Sequence, residues 1–174
     1  MEITPPLTNE DLKNLRAGKK VFITGTIFTA RDAAHEKLVD LINQGQELPI
    51  PLEGQIIYYV GPAPARPGQS IGPAGPTTSY RMDSFTVPLL KKGLKGMIGK
   101  GHRSDEVVEA LKKYKGVYLA AVGGAAALIA ESIKQSEVVA YPELGPEAIR
   151  KLEVERLPTI VVNDIYGSCI YCER

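Results

Sequence analysis

Charge of one sign is missing from this 174-residue chain: 21 lysines and arginines meet 20 aspartates and glutamates, a formal net charge of +1. That balance gives no general reason to expect nucleic acid or a membrane surface as partner. Long apolar runs are missing as well, and none approaches the roughly 20 residues of a membrane span. Met1 to Asn9 lacks the basic-then-apolar order of a secretory leader, so a cytoplasmic protein is the expectation. Neither GxxxxGK(S/T) nor GxGxxG occurs, which leaves a nucleotide-phosphate loop without support. Cysteine is scarce: Cys169 and Cys172 form a single Cys-Ile-Tyr-Cys. Such a pair can be a redox couple, half a zinc site, or merely structural. Zinc wants two more ligands, and His35 and His102 lie far off in sequence without ligand spacing. An iron–sulfur cluster wants three or four thiolates. The pair is therefore read as structural or incidental, and no metal ligand is expected in this chain. Internal repeats, low-complexity tracts and interdomain linkers are absent too.

What is present is ordinary globular composition, 44% apolar and 24% charged, in a length that suits one domain and is short for two. Residues 1–19 read as a polar lead-in, a hairpin or an arm against a partner, and 20–174 as the domain. Val21–Phe28 reads as a strand from its β-branched and aromatic content. Thr29 and Asp32 resemble a capping box, and Ala34, Leu38, Leu41 and Ile42 recur on one helical face. Residues 45–54 are turn-rich, and Ile56–Val60 is a second strand feeding a Gly/Pro loop. A helix is expected from Thr78 to about Lys92, with Pro88 inside and Gly93 as its stop. A short strand, 96–99, and a helix begun by Ser104-Asp105-Glu106 follow, with Lys112, Lys113 and Lys115 at its end as the dipole prefers. Then come a strand at 117–122, Gly123-Gly124, an Ala-rich helix to about Ile133, a short helix at 146–154, a strand at 159–162 and a last strand at 168–171. Alternating strands and helices predict an α/β domain with a mixed, partly parallel sheet. Sites in such sheets lie beyond the C-terminal ends of the strands.

Two junctions carry cations where the helix dipole disfavours them. In Gly72-Pro73-Ala74-Gly75-Pro76-Thr77-Thr78-Ser79-Tyr80-Arg81-Met82-Asp83, a stiff loop brings two hydroxyls and a guanidinium to a helix start. Thr77 or Thr78 can cap that helix, whose first N–H groups favour an anion. Arg31 stands at the other junction. Alone it reads as a surface ion-pair partner; with Arg81 it makes a two-point anion clamp, and a dicarboxylate is the simplest ligand with two such ends. Lys100, between Gly99 and Gly101, reads equally as a turn lysine or as a ligand-approaching ammonium. His35 reads as structural, and Asp83 as orienting Arg81 or a backbone group.

The motifs at 29–35 (Thr-Ala-Arg-Asp-Ala-Ala-His), 75–83, 99–101 (Gly-Lys-Gly) and 144–155 (Leu-Gly-Pro-Glu-Ala-Ile-Arg-Lys-Leu-Glu-Val-Glu) resemble those of the class I, iron–sulfur fumarate hydratases. The likeness is to their β subunit, equivalent to the C-terminal domain of single-chain forms, and the related L-tartrate dehydratase β subunit shares these motifs. It runs from about Lys20 to Asp164. Ser79-Tyr80 departs from the small residues expected there. The resemblance implies a swivelling β/β/α domain and a hydro-lyase of the tricarboxylic acid cycle that interconverts (S)-malate with fumarate and water. It implies a [4Fe–4S] cluster held by a partner α subunit in an α2β2-type assembly, with Arg31, Thr77, Thr78, Arg81 and Lys100 meeting the dicarboxylate. It assigns the base to Thr77, with Arg81 and Lys100 beside it in catalysis. From another class, a non-catalytic dicarboxylate-binding module fits the same cations, and tartrate dehydratase is the other enzyme reading.

Overall fold

The computed structural model describes residues 1–121 and 126–172. Seven strands form one mixed sheet: β1 (Glu2–Ile3), β2 (Lys20–Thr29), β3 (Ile56–Tyr58), β4 (Gly96–Gly99), β5 (Val117–Ala121), β6 (Ile133–Ala140) and β7 (Ile149–Asn163). The helices are α1 (Asn9–Asn14), α2 (Asp32–Asn43), α3 (Asp83–Lys91), α4 (Asp105–Tyr114) and α5 (Ala126–Ser132), with 3-10 turns at Ser79–Met82 and Pro142–Glu147. Strands β2, β3, β4 and β5 pair in parallel in that order. The long β7 runs antiparallel to both β5 and β2, so these five strands close into a barrel-like ring. Strands β1 and β6 attach outside it, to β2 and β7.

Strands β3, β4 and β5 are apolar on both sides because both sides are covered, whereas β2 keeps Thr24 and Thr26 half-buried on one side. Successive residues point to opposite faces, and the core divides accordingly. Ile56, Tyr58, Ile98 and Leu119 pack inside the ring with Ile23, Ile27 and Val161. Ile57, Tyr59, Met97 and Tyr118 pack outside it, under Leu38, Leu89, Val107 and Leu111 of the helices. Helix α4 begins as its sequence predicts, with the Ser104 hydroxyl accepting from Val107 N–H.

Several expectations are corrected. Residues 146–154 are not a helix: Pro146 belongs to a 3-10 turn, and β7 begins at Ile149. Its charged run at 150–156 suits an exposed helix, but Leu152, Val154, Leu157, Thr159 and Val161 are buried. β2 pairs along one edge of β7 at 151–160, while the other edge is taken by β6 at 149–154 and by β5 at 159–163, and this pairing decides. The first residues form no hairpin. β1 pairs in parallel with β2, α1 carries a Thr8–Asp11 capping box, and Ile3, Leu7, Leu12 and Leu15 are buried in the ring's core. Helix α3 starts at Asp83 rather than Thr78. The expected last strand is a single bridge, Asn163 to Cys169, followed by a turn in which Cys169 and Cys172 form a disulfide. Val122, Gly123 and Gly124 lie outside the described residues.

Candidate functional site

Arg31 leaves the C-terminal end of β2 and stands at the N-cap of α2. The Arg31 side chain makes no cap bond; the Glu147 carboxylate, from the turn before β7, accepts from Ala33 N–H at 3.3 Å instead. Thr29, expected to cap this helix, is still inside the strand and fully buried. Its hydroxyl faces the Ala148 carbonyl at 3.4 Å and accepts from Arg150 N–H at 3.0 Å. The junction is also tied through the Arg31 carbonyl, which accepts from His35 N–H at 2.9 Å and from His35 Nδ1 at 2.8 Å. A carbonyl only accepts, so Nδ1 carries the proton. The ring is wholly buried beside Tyr59 and Phe85, and burial lowers its pKa to about 4. His35 is thus a neutral support beneath Arg31. The Arg31 side chain lies over Gly61, the first residue of the Gly/Pro loop. A Cβ at Gly61 would sit 2.9 Å from Nη1 and 3.0 Å from Cδ, so only glycine allows this approach.

Arg81 lies in the 3-10 turn that precedes α3. Its Nε donates to Asp32 Oδ2 at 3.1 Å, and its Nη2 stands 2.9 Å from the same oxygen in an ion pair. Arg31 Nε stands 4.0 Å from the other oxygen of Asp32. The two arginines, one next to Asp32 in the chain and the other 49 residues beyond it, therefore converge on a single carboxylate. Asp83 does not orient Arg81. It accepts from Arg103 Nε and from Ser104 N–H, each at 2.7 Å, and so holds a backbone group as the second half of that expectation had it.

The two threonines are set by their backbone. Thr77 N–H donates to the Tyr59 carbonyl at 2.7 Å, and Thr78 forms a parallel bridge with Lys100. Ser79 N–H donates to the Lys100 carbonyl at 2.9 Å. This strand-like pinning explains why neither threonine caps a helix: Thr78 sits at the cap of a 3-10 turn with extended ψ of 120°, and no side-chain cap bond forms. Among the described residues, neither hydroxyl makes a hydrogen bond. Thr77, Thr78 and Lys100 are thus neighbours, and Thr78 leads directly into the turn carrying Arg81. Lys100 is exposed, the threonines are half-buried, and the Arg81 side chain is 45% exposed. The set occupies an open face, away from the cleft of about 370 Å³ between Ser70, Gly72, Ala130 and Glu131. All of it follows the C-terminal ends of β2, β3 and β4, where parallel sheets build sites.

Residues not singled out from sequence hold this face in shape. Arg103, with a fully buried side chain, donates to Asp83 and to Thr86 Oγ1 at 2.7 Å each. It lies 5.3 and 5.0 Å from the ring centres of Tyr59 and Tyr118. The Tyr118 hydroxyl is 2.9 Å from both the Gly101 carbonyl and Ser79 Oγ. Its one proton goes to the carbonyl, so Ser79 donates to it. Burial pushes the Tyr118 phenol up, and it stays protonated. The signal for Arg103 was legible: it precedes the Ser104 cap, a cation against a helix dipole, as Arg81 is. Among the described residues, no group of three or more His, Cys, Asp or Glu could hold a metal ion.

Residues 1–174 match the family model described as Fumarase C-terminus. The chain is 48% identical over 152 residues to the "Fumarate hydratase class I, anaerobic" of Escherichia coli K12, covering 86% of this chain and 28% of that protein. It is 42% identical over 165 residues to "Fumarate hydratase 2" of Leishmania major, covering 93% and 29%. It spans less than a third of the length of these two relatives. A protein of Methanocaldococcus jannaschii named "Putative L(+)-tartrate dehydratase subunit beta" is 40% identical over 173 residues, covering 96% of this chain and 89% of that protein. Matched throughout by the family model, and aligned with nearly all of the Methanocaldococcus protein, the chain belongs to the fumarase C-terminus family.

Proposed function

We propose that this chain is the β component of a hydro-lyase that interconverts (S)-malate with fumarate and water, and that it supplies the substrate-carboxylate clamp. The observation that carries this reading is the convergence of Arg31 and Arg81 on one carboxylate beside Thr77, Thr78 and Lys100, in a chain of this family. Forked guanidinium groups bind carboxylates through paired hydrogen bonds that lysine cannot reproduce. Removing a proton next to a carboxylate builds negative charge on that carboxylate, and preorganised cations offset it. Arg31 and Arg81 hold the substrate's two ends, Lys100 adds charge beside them, and Thr78 lines the site. The Thr77 hydroxyl is the proposed proton acceptor. It is a weak base and relies on the surrounding cations to stabilise its charged form.

A [4Fe–4S] cluster would supply Lewis-acid chemistry, but this chain does not fit it as ligand. Its two cysteine sulfurs are bonded to each other, and two thiolates are fewer than such a cluster needs. The cluster is assigned to a partner α subunit in an α2β2-type assembly. The open face supports this, since one wall of the site is then the partner's. The β/β/α domain is proposed to swivel against that partner. No helix among the described residues is long and apolar enough to cross a membrane, and the proposed location is the cytoplasm. L-tartrate is the second substrate reading, favoured by one observation: the Methanocaldococcus protein is of nearly the same extent as this chain.

The test is coexpression with a cluster-bearing partner under anaerobic conditions, then assay on malate, fumarate and L-tartrate. Arg81→Lys in the assembled enzyme is expected to lose kcat/KM by about 100-fold. Near-normal kinetics in that variant, or turnover by the isolated chain, would refute the reading. Dicarboxylate binding by the full chain without turnover in any assembly would replace the enzyme by a binding module.

A further inference from the structure

We infer that Asp32 is a positioning residue of this site, acting through Arg81 and resting on the proposed dicarboxylate reading. A carboxylate beside an anion clamp is unfavourable for binding in simple charge terms, because it repels the ligand and cancels part of the positive field. Its place here is nonetheless specific. Asp32 Oδ2 accepts from Arg81 Nε and lies 2.9 Å from Nη2, so it engages the side edge of the guanidinium. The outer edge, Nη1 with the second Nη2 hydrogen, makes no hydrogen bond to the described residues. A planar fork with one edge fixed has its other edge aimed, and that edge is the one that binds a carboxylate bidentately. An unrestrained arginine 45% exposed would sample many rotamers and lose that order on binding.

The carboxylate is itself well placed. Asp32 is the first residue of α2, where the helix dipole favours an anion. Its Oδ1 is buried without a hydrogen-bond partner, and so is Arg31 Nε, 4.0 Å away. One side chain therefore stands between the two guanidinium groups, bonded to one and in electrostatic reach of the other. Two like charges brought together for a dicarboxylate repel each other in its absence, and Asp32 offsets that repulsion without occupying the outer edge of Arg81. Among the described residues, no other carboxylate pairs with either arginine.

The sign of one measurement separates positioning from mere charge. In the assembled enzyme, Asp32→Asn is tested with succinate, a dicarboxylate that does not undergo hydration, as competitive inhibitor. Loss of a nearby negative charge alone would tighten succinate binding. Positioning predicts the opposite: the inhibition constant and KM for malate each rise on the order of tenfold, with kcat changing less. Because Asp32 acts through Arg81, the effect must vanish when Arg81 is already altered. In an Arg81→Lys background, adding Asp32→Asn is expected to change the inhibition constant by less than about twofold. An inhibition constant that is unchanged or lower in Asp32→Asn overturns the inference, as does a full tenfold effect in the Arg81→Lys background. Arg81→Lys alone reports on the underlying reading: if it leaves succinate inhibition intact, the clamp itself is wrong, whereas a raised constant there with none in Asp32→Asn rejects only the positioning role. Unfolding midpoints of each variant exclude loss of fold, and Asp32→Glu, which keeps the charge, should recover part of the affinity.

Discussion

Lowering the pH should destabilise the chain through His35, which is buried as a neutral imidazole. The imidazole is wholly buried, and burial lowers its pKa from the ordinary 6.5 to about 4, with the nearby Arg103 charge acting in the same direction and Asp32 and the Arg31 carbonyl opposing it. Between those two values the unfolded chain takes up a proton that the folded chain does not. Stability is therefore full above pH 6.5 and falls as the pH drops towards 4. Each pH step of one in that window costs about 1.4 kcal/mol, so about 2 kcal/mol is lost by pH 5 and about 3 kcal/mol by pH 4. His35→Phe keeps an aromatic ring against Tyr59 and Phe85 and removes the titration. It also removes the Nδ1 hydrogen bond, but the Arg31 carbonyl retains His35 N–H, a backbone bond at 2.9 Å that the substitution preserves. Urea unfolding of the full chain at pH 7.5 and pH 5.0 gives the loss for each protein. The native chain should lose about 2 kcal/mol more than His35→Phe, other titrating groups cancelling in the comparison. Equal losses in the two proteins would refute the argument that a neutral, buried imidazole supports Arg31.

Two substitutions probe the support of the open face. Asp83→Asn removes the partner of a guanidinium whose side chain is fully buried, and thermal unfolding should report a cost of about 3–5 kcal/mol, the penalty of an unpaired buried charge. A loss below 1 kcal/mol would mean that Thr86 and the two tyrosine rings suffice. Gly99→Ala places a Cβ in overlap with Ser79 Oγ and 2.9 Å from Tyr59 Cδ2. Calorimetry should show a destabilisation of about 1–3 kcal/mol, the usual cost of overpacking. In the assembled enzyme the displaced Ser79 should also lower turnover, and unchanged stability would show that the turn at 79–82 yields freely.

Some of this protein is determined by the sequence locally. Runs such as Val21–Phe28 and Ile56–Tyr58 form strands because β-branched and aromatic side chains suit a pleated, largely buried surface. Ser104 begins α4 because a hydroxyl there satisfies a helix N–H that has no other partner. The cations at strand-to-helix junctions were legible for the same local reason: each stands against a dipole its own helix creates. Tertiary structure decided the rest. Residues 149–156 carry charges that suit a helix, yet β2 on one side and β6 on the other offer hydrogen-bonding edges that only the tertiary fold brings within reach. Thr29 and Thr78 have the chemistry of caps, yet strand pairing had already placed their backbones. The choice of Asp32 rather than Asp83 for Arg81, and of Asp83 for Arg103, depends on which loops meet above the sheet. Ion pairs between residues 20 to 50 positions apart have no local signature, because their energy arises only once the strands have set the distance.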